Sequence, residues 1–286
     1  MCQTAGMEDF VQVESEPELR HPRVVAAFRG WNDAGGAASL AVGYLRSATA
    51  AQRFAVIDSE PFVDYQQTRP TVRMVDGDVR EVEWPVTELF ASPSHDLLIV
   101  LGTEPNMRWR SFSDAIVEVV RKYRSELVIT MGALLADTPH TRPVPVSASA
   151  SDPELMSRHG LARSTYEGPT GIVGVLHDSC SRAGLVSASL WAATPHYISA
   201  SPNPQAALAL LRRLAELAGT PPGGSELERA ASEYQLRVAS AIADDPDVAG
   251  YVEQLEAAVD RDDPPTGDEL AADFERYLRE QSDDKE

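Results

Sequence analysis

The chain has 286 residues, 43% of them hydrophobic, enough for one large α/β domain or for a domain of about 200 residues with a smaller appendage. Its formal net charge of −19 repels polyanions, which excludes nucleic acid and anionic membrane surfaces as expected partners and leaves proteins or small molecules. Two cysteines, Cys2 and Cys180, and six scattered histidines give no zinc or disulfide spacing, so no metal or cofactor is expected and a cytoplasmic location fits.

The opening segment, residues 1–22, has no basic region followed by an apolar stretch, so no secretory signal is expected and the segment is read as disordered. The first strand is "RVVAAF" (23–28), followed by the corner "RGWNDAGG" and a small-residue helix over Ala34–Ala48. Further strands are expected at "FAVID" (54–58), "LLIVL" (97–101), "LVITM" (127–131) and "VSASLWAA" (186–193). Between them, helical spacing sets Phe112, Ile116, Val119 or Val120, and Tyr123 on one face after Pro105, which suits a first helical turn. Helices are also expected over Gly171–Ala183 and over 203–219, where Gly219 ends the element. The excursion 139–171 is long enough to be a lid or interaction loop. No charged residue occurs from Ala183 to Leu211, but "ATPHYISASPNPQ" inside that run would leave polar groups unmet in lipid, so no membrane span is expected.

This alternation predicts a three-layer α/β/α domain with a largely parallel sheet over 23–219. From 220 to 286 the composition shifts: Pro221–Glu286 holds 19 acidic and 6 basic residues. This region reads as acidic helices, "SELERAASEYQLRVASAIA" with a capping-box pair Ser225 and Glu228, "PDVAGYVEQLEAAVD" and "TGDELAADFERYLRE". It is expected to be separable from the domain, with a solvated charged face.

The corner after the first strand has the Gly30/Gly35 spacing of a phosphate loop, but Gly36 and Ala37 stand where Lys and Ser or Thr would be needed. Asp33 at the coming helix start would repel phosphate and cap the free N–H groups itself. No nucleotide is expected, and no catalytic motif for a nucleophile, metal or kinase site occurs. Ligand crevices of open α/β sheets lie beyond the carboxyl ends of the strands, and here those exits are polar. The candidate binding residues are Trp31, Asn32 and Asp33 after the first strand, Glu104, Arg108 and Trp109 after "LLIVL", His140 and Arg142 after "LVITM", and His196 and Tyr197 after "VSASLWAA". They are expected in one neighbourhood, as a pocket or an interface.

Five ordered blocks, "GWNDAG", "GTEPNMRW", "GALLADTPHTRPVPV", "YEGPTG" and "LWAATPHYISASPNP", resemble the proteasome assembly chaperone family in its bacterial, actinobacterial branch. The Arg-rich, Lys-poor composition fits a GC-rich genome. Tyr166 of the fourth block joins the candidate binding residues. The resemblance implies a phosphorylase/hydrolase-like α/β/α fold, homo-oligomers that are trimers, and a non-catalytic binding or assembly-chaperone-like role with proteasome subunits as candidate partners. Some relatives dock through a C-terminal hydrophobic-Tyr-any tripeptide; here Tyr277 lies nine residues from the end, so that route is not expected. The alternative is a hydrolase or phosphorylase acting on a nucleoside or amide in a strand-end pocket.

Overall fold

A computed structural model describes residues 10–75 and 79–260. The chain runs through β1 (Val11–Val13), β2 (Arg23–Arg29), α1 (Ala37–Ala48), β3 (Gln52–Ile57), β4 (Thr71–Val75), β5 (Val79–Glu83), β6 (Thr87–Ser92), β7 (Leu97–Thr103) and α2 (Trp109–Lys122). It continues through β8 (Leu127–Ala136), β9 (Val146–Ala150), α3 (Pro153–His159), α4 (Ile172–Arg182), β10 (Ser187–Pro195), α5 (Pro204–Ala218), α6 (Ser225–Ala243) and α7 (Pro246–Val259).

Unbroken apolar runs belong to strands covered on both faces, and four of them form the middle of an eight-stranded sheet of order β1-β3-β6-β7-β2-β8-β10-β9. The central β7-β2-β8-β10 are mutually parallel. β6, β3 and β1 continue antiparallel on one side and β9 on the other. Successive side chains point to opposite faces, so Val25, Ala27, Ile99, Ile129 and Met131 pack under α1 and α5. Val24, Ala26, Phe28, Leu98 and Val100 pack under α2 and α4. The result is the three-layer α/β/α arrangement, with all four parallel strands ending on one edge.

Three expectations need correction. Residues 10–22 are not a disordered lead: Phe10 and Val11 are buried and β1 pairs with β3, because the apolar side chains find cover at the sheet edge. The acidic helical region does not stand apart from the domain either. Leu227 and Ala231 of α6 lie in the same core as α5, with Tyr234 and Val238 also buried. Charge composition reported the solvent face of α6 and missed its apolar stripe. Finally, Ser225 and Glu228 form no capping box; Gly224 precedes α6 and its carbonyl accepts from the Glu228 N–H. The helix "TGDELAADFERYLRE" lies outside the described residues.

Some helix starts also differ in detail. α2 begins at Trp109 rather than near Pro105, after Arg108 at a φ of 56°. α5 follows the reading closely, with the Asn203 side chain accepting from Ala206 N at 3.0 Å, Pro204 next, and Gly219 at a φ of 61° after its end. Among the described residues no helix is long and apolar enough to cross a membrane.

Candidate functional site

Each parallel strand delivers its exit loop to the same edge, and the contacts sort those loops into two groups. In the first, Glu104, just beyond β7, acts as a clip. Its Oε2 accepts from the Trp31 N–H at 3.0 Å, and its Oε1 accepts from the Asn32 side-chain amide at 2.5 Å and from the Ile172 N–H at 2.9 Å. One carboxylate thereby ties the corner after β2 to the start of α4, where a negative charge also suits the helix N-terminus. Asn32 is 1% exposed, and its carbonyl accepts from Ala133 N at 2.8 Å, joining the same corner to β8. Two glycines make this closeness possible. Gly30, at a φ of 138°, would set a Cβ against the Glu104 side chain, and a Cβ on Gly171 would overlap the Asn32 amide.

Asp33 performs the task its position suggested. Its Oδ1 accepts from Ala38 N at 2.8 Å and Ser39 N at 3.2 Å at the start of α1. Burial pushes its carboxyl above the ordinary value, and the hydrogen bonds from Ser39 and Ala38 oppose that rise. Gly35 and Gly36, both at a φ of 60°, turn the chain into the helix. The free N–H groups at the start of α1 are therefore engaged by the corner's own carboxylate.

The second group gathers the exits of β8 and β10. The Tyr197 hydroxyl accepts from His140 N at 2.8 Å and lies 3.0 Å from His140 Nδ1. His140 is 5% exposed and burial lowers its pKa, which favours the neutral ring; burial also pushes Tyr197 up to about 12. His196 Nδ1 is 3.0 Å from Asp137 Oδ1, which also accepts from the Tyr251 hydroxyl at 2.9 Å. Tyr251 belongs to α7, and its ring meets His196 and Tyr197 edge-on at 5.6 and 5.9 Å. Arg142 completes the cover, with both carboxylate oxygens of Asp260 at 2.9 and 2.6 Å and Glu256 at 3.3 Å. A hydrogen bond from Thr141 to Glu256 adds to it. The Arg142 pairing holds the Asp260 carboxyl below its ordinary value.

The eleven candidates thus do not form one cluster: eight of them fall into two groups at the strand exits. Trp31, Asn32, Asp33 and Glu104 make the first group; His140, Arg142, His196 and Tyr197 make the second. Arg108 stacks its guanidinium over Phe10 at 5.2 Å and Phe62 at 5.9 Å, which fixes the loop before α2. The Trp109 indole donates to the Pro105 carbonyl at 2.6 Å. Tyr166 lies in the segment before α4, its hydroxyl donating to the Pro169 carbonyl at 2.8 Å. The excursion 139–171 holds β9 and α3 rather than a bare loop.

Beside the Glu104 clip lies an open groove of about 1160 Å³, lined by Trp31, Trp84, Trp109, Arg69 and Asn106 among others. Trp31 and Trp84 are 41% and 53% exposed. Sequence reasoning missed Trp84 because its only signal is an aromatic after the alternating "VREVE". It also missed Tyr251, Glu256 and Asp260, whose hydrogen-bond partners lie more than a hundred residues earlier. Among the described residues no three His, Cys, Asp or Glu side chains are grouped to hold a metal ion.

With this geometry established, comparison places the chain. The model of the PAC2 family matches residues 27–242. The crystal structure of a PAC2 family protein from Streptomyces avermitilis is 47% identical, covers 81% of this chain and 99% of its own, and superposes with a TM-score of 0.73. That of a Mycobacterium tuberculosis proteasome-assembly chaperone homologue is 44% identical over 80% of this chain and 99% of its own, at 0.71. Pyrococcus furiosus PbaB, an archaeal proteasome activator, shares the fold at 19% identity and a TM-score of 0.66, over 81% of this chain and 97% of its own. No curated protein matches the chain in sequence. The chain belongs to the PAC2 family, the proteasome assembly chaperone family that its five motif blocks resemble.

Proposed function

We propose that this chain is a non-catalytic, assembly-chaperone-like protein that acts as a homo-oligomer, a trimer, in the cytoplasm of an actinobacterium, with proteasome core-particle subunits as its partners. The observation that carries the reading is how the polar strand exits are employed. Glu104 and Asp33, the carboxylates best placed for chemistry after β2 and β7, are committed to backbone N–H groups at 2.8 to 3.2 Å. His140 and Tyr197 bond each other under α7. Exposed aromatic surface at Trp31 and Trp84 suits the grip of another polypeptide. The 44% identical mycobacterial relative is described as a proteasome-assembly chaperone homologue, which supports the choice of partner.

The test is affinity purification of the tagged chain from an actinobacterial host, with mass-spectrometric identification of what is retained. Core-particle subunits are expected. Their absence, together with turnover of nucleosides or amides by the purified chain that disappears in Glu104→Ala, would overturn the proposal in favour of a hydrolase or phosphorylase.

A further inference from the structure

Nε2 of His140 and the hydroxyl of Tyr234 are buried polar atoms with no hydrogen-bond partner among the described residues. The two residues are 5% and 2% exposed, and both stand in the wall of one small cavity, of about 10 Å³, where the exits of β8 and β10 meet α5 and α6. Leaving a buried polar group unpaired is costly, so such groups meet either protein or ordered water. The hydrogen bonds around Tyr197 fix which proton His140 carries. The Tyr197 hydroxyl accepts from the His140 N–H at 2.8 Å, and His140 Nδ1, at 3.0 Å, is the one group among the described residues that can receive its own proton. Burial pushes that phenol up to about 12, so the proton is present at neutral pH. Nδ1 is thus an acceptor, and in the neutral ring that burial favours the N–H sits on Nε2. Nε2 therefore needs an acceptor. The Tyr234 hydroxyl, whose pKa burial also raises, keeps a proton that needs one too.

We propose that this cavity is a binding site for one structural water, which accepts hydrogen bonds from His140 Nε2–H and from the Tyr234 hydroxyl. A water oxygen has two lone pairs and so meets both donors at once. The size of the cavity selects the ligand, because a single water needs roughly 10–15 Å³ and nothing larger fits. A buried water also needs two to four polar partners, and Thr138, Asn203 and Gln205 in the same wall surround the water's own protons with polar groups. The resulting chain runs from Tyr197 at the exit of β10 to His140 at the exit of β8, and through the water to Tyr234 on α6. It gives α6 a directional polar tie to the strand exits beside the apolar stripe that packs it against α5.

A crystal structure of the full chain at a resolution that shows ordered water tests the site. One water within about 3.2 Å of both His140 Nε2 and the Tyr234 oxygen is expected. Proton–nitrogen NMR of the full chain with labelled histidine reads the tautomer, and the assigned His140 signals are expected to show Nε2 protonated and Nδ1 bare. Tyr234→Phe removes the hydroxyl and keeps the ring. It is expected to shift the His140 ring signals, to leave those of the exposed His21 and His159 in place, and to lower the urea midpoint. Absence of a water shared by the two atoms, a direct His140–Tyr234 hydrogen bond, a proton on Nδ1, or His140 signals unmoved by Tyr234→Phe would each overturn the proposal.

Discussion

Glu104 and His140 stand at exits of parallel strands in the same sheet, yet the two halves of this edge are closed by different means. After β2 and β7 the closing groups are the exits' own carboxylates: Asp33 binds N–H groups at the start of the helix that follows it, and Glu104 binds those of the β2 corner and of the start of α4. After β8 and β10 the closing groups come from α7 and the residue after it, with Tyr251, Glu256 and Asp260 set over Arg142, Asp137, His196 and Tyr197. Polar residues at the carboxyl ends of strands are the usual sign of a ligand crevice. Here the same residue types hold the fold together, and the groove left open beside them sets three tryptophans among polar side chains.

The strongest way to break this comparison is to remove the cover of the second half. Ending the chain at Gly219 uncovers the sites of Leu227, Ala231, Tyr234 and Val238, and at about 1.5–3 kcal/mol for each large side chain the loss is on the order of 5 kcal/mol. Urea unfolding should show a much lower midpoint or no cooperative transition. Ending it at Asp244 instead keeps α6, so the transition should survive. Equal stability of the 219 and full-length forms would show α6 to be an appendage after all.

The first half is tested by Glu104→Ala, which leaves the Asn32 amide and the Trp31 and Ile172 N–H groups without their acceptor. Hydrogen bonds to a charged group contribute about 1.5–3 kcal/mol each, and the three share one carboxylate, so a loss of about 3 kcal/mol is expected in the same measurement. A change under about 0.5 kcal/mol would remove the clip from the account. Asp33→Ala should cost less, on the order of 1 kcal/mol as for other lost caps, and Asp33→Asn less again because it keeps an acceptor without a buried charge.

The smallest effect concerns pH. His140 is depressed in the folded chain, so its contribution to stability is present above the ordinary value of 6.5 and is lost as pH falls through the lower folded value. Asp260 is likewise depressed, by Arg142, so the pull on α7 is present above the ordinary 3.8 and is lost as pH falls through the lowered value. Hydrogen exchange at falling pH, corrected for the intrinsic rate, should show the protection of α7 amides dropping before that of β8. Uniform protection of the two at every pH would contradict the assignment of α7 docking to this pair.

Much of the first half could be read in the sequence because its causes are local. The runs "RVVAAF" and "LLIVL" are apolar without alternation, and Asp33 precedes its helix at capping distance. The Glu104 clip was legible only as a polar exit, since its acceptors reach positions 68 to 73 residues away. The second half was less legible for the same physical reason at longer range: nothing in "TPHTRP" says that Asp260 will bind Arg142. β4 and β5 escaped because neither strand is buried, and "TVRMV" and "VREVE" mix charge with valine so that no core face stands out. β9, "VSASA", is an edge of small residues whose order comes from β10.

The reading proposed above, that this chain binds proteasome core-particle subunits, stands or falls on one mixture. Native mass spectrometry of the purified oligomer mixed with unassembled actinobacterial core-particle subunits tests it most directly. The account predicts a complex containing this chain and the subunits; free oligomer and free subunits at every mixing ratio would contradict it.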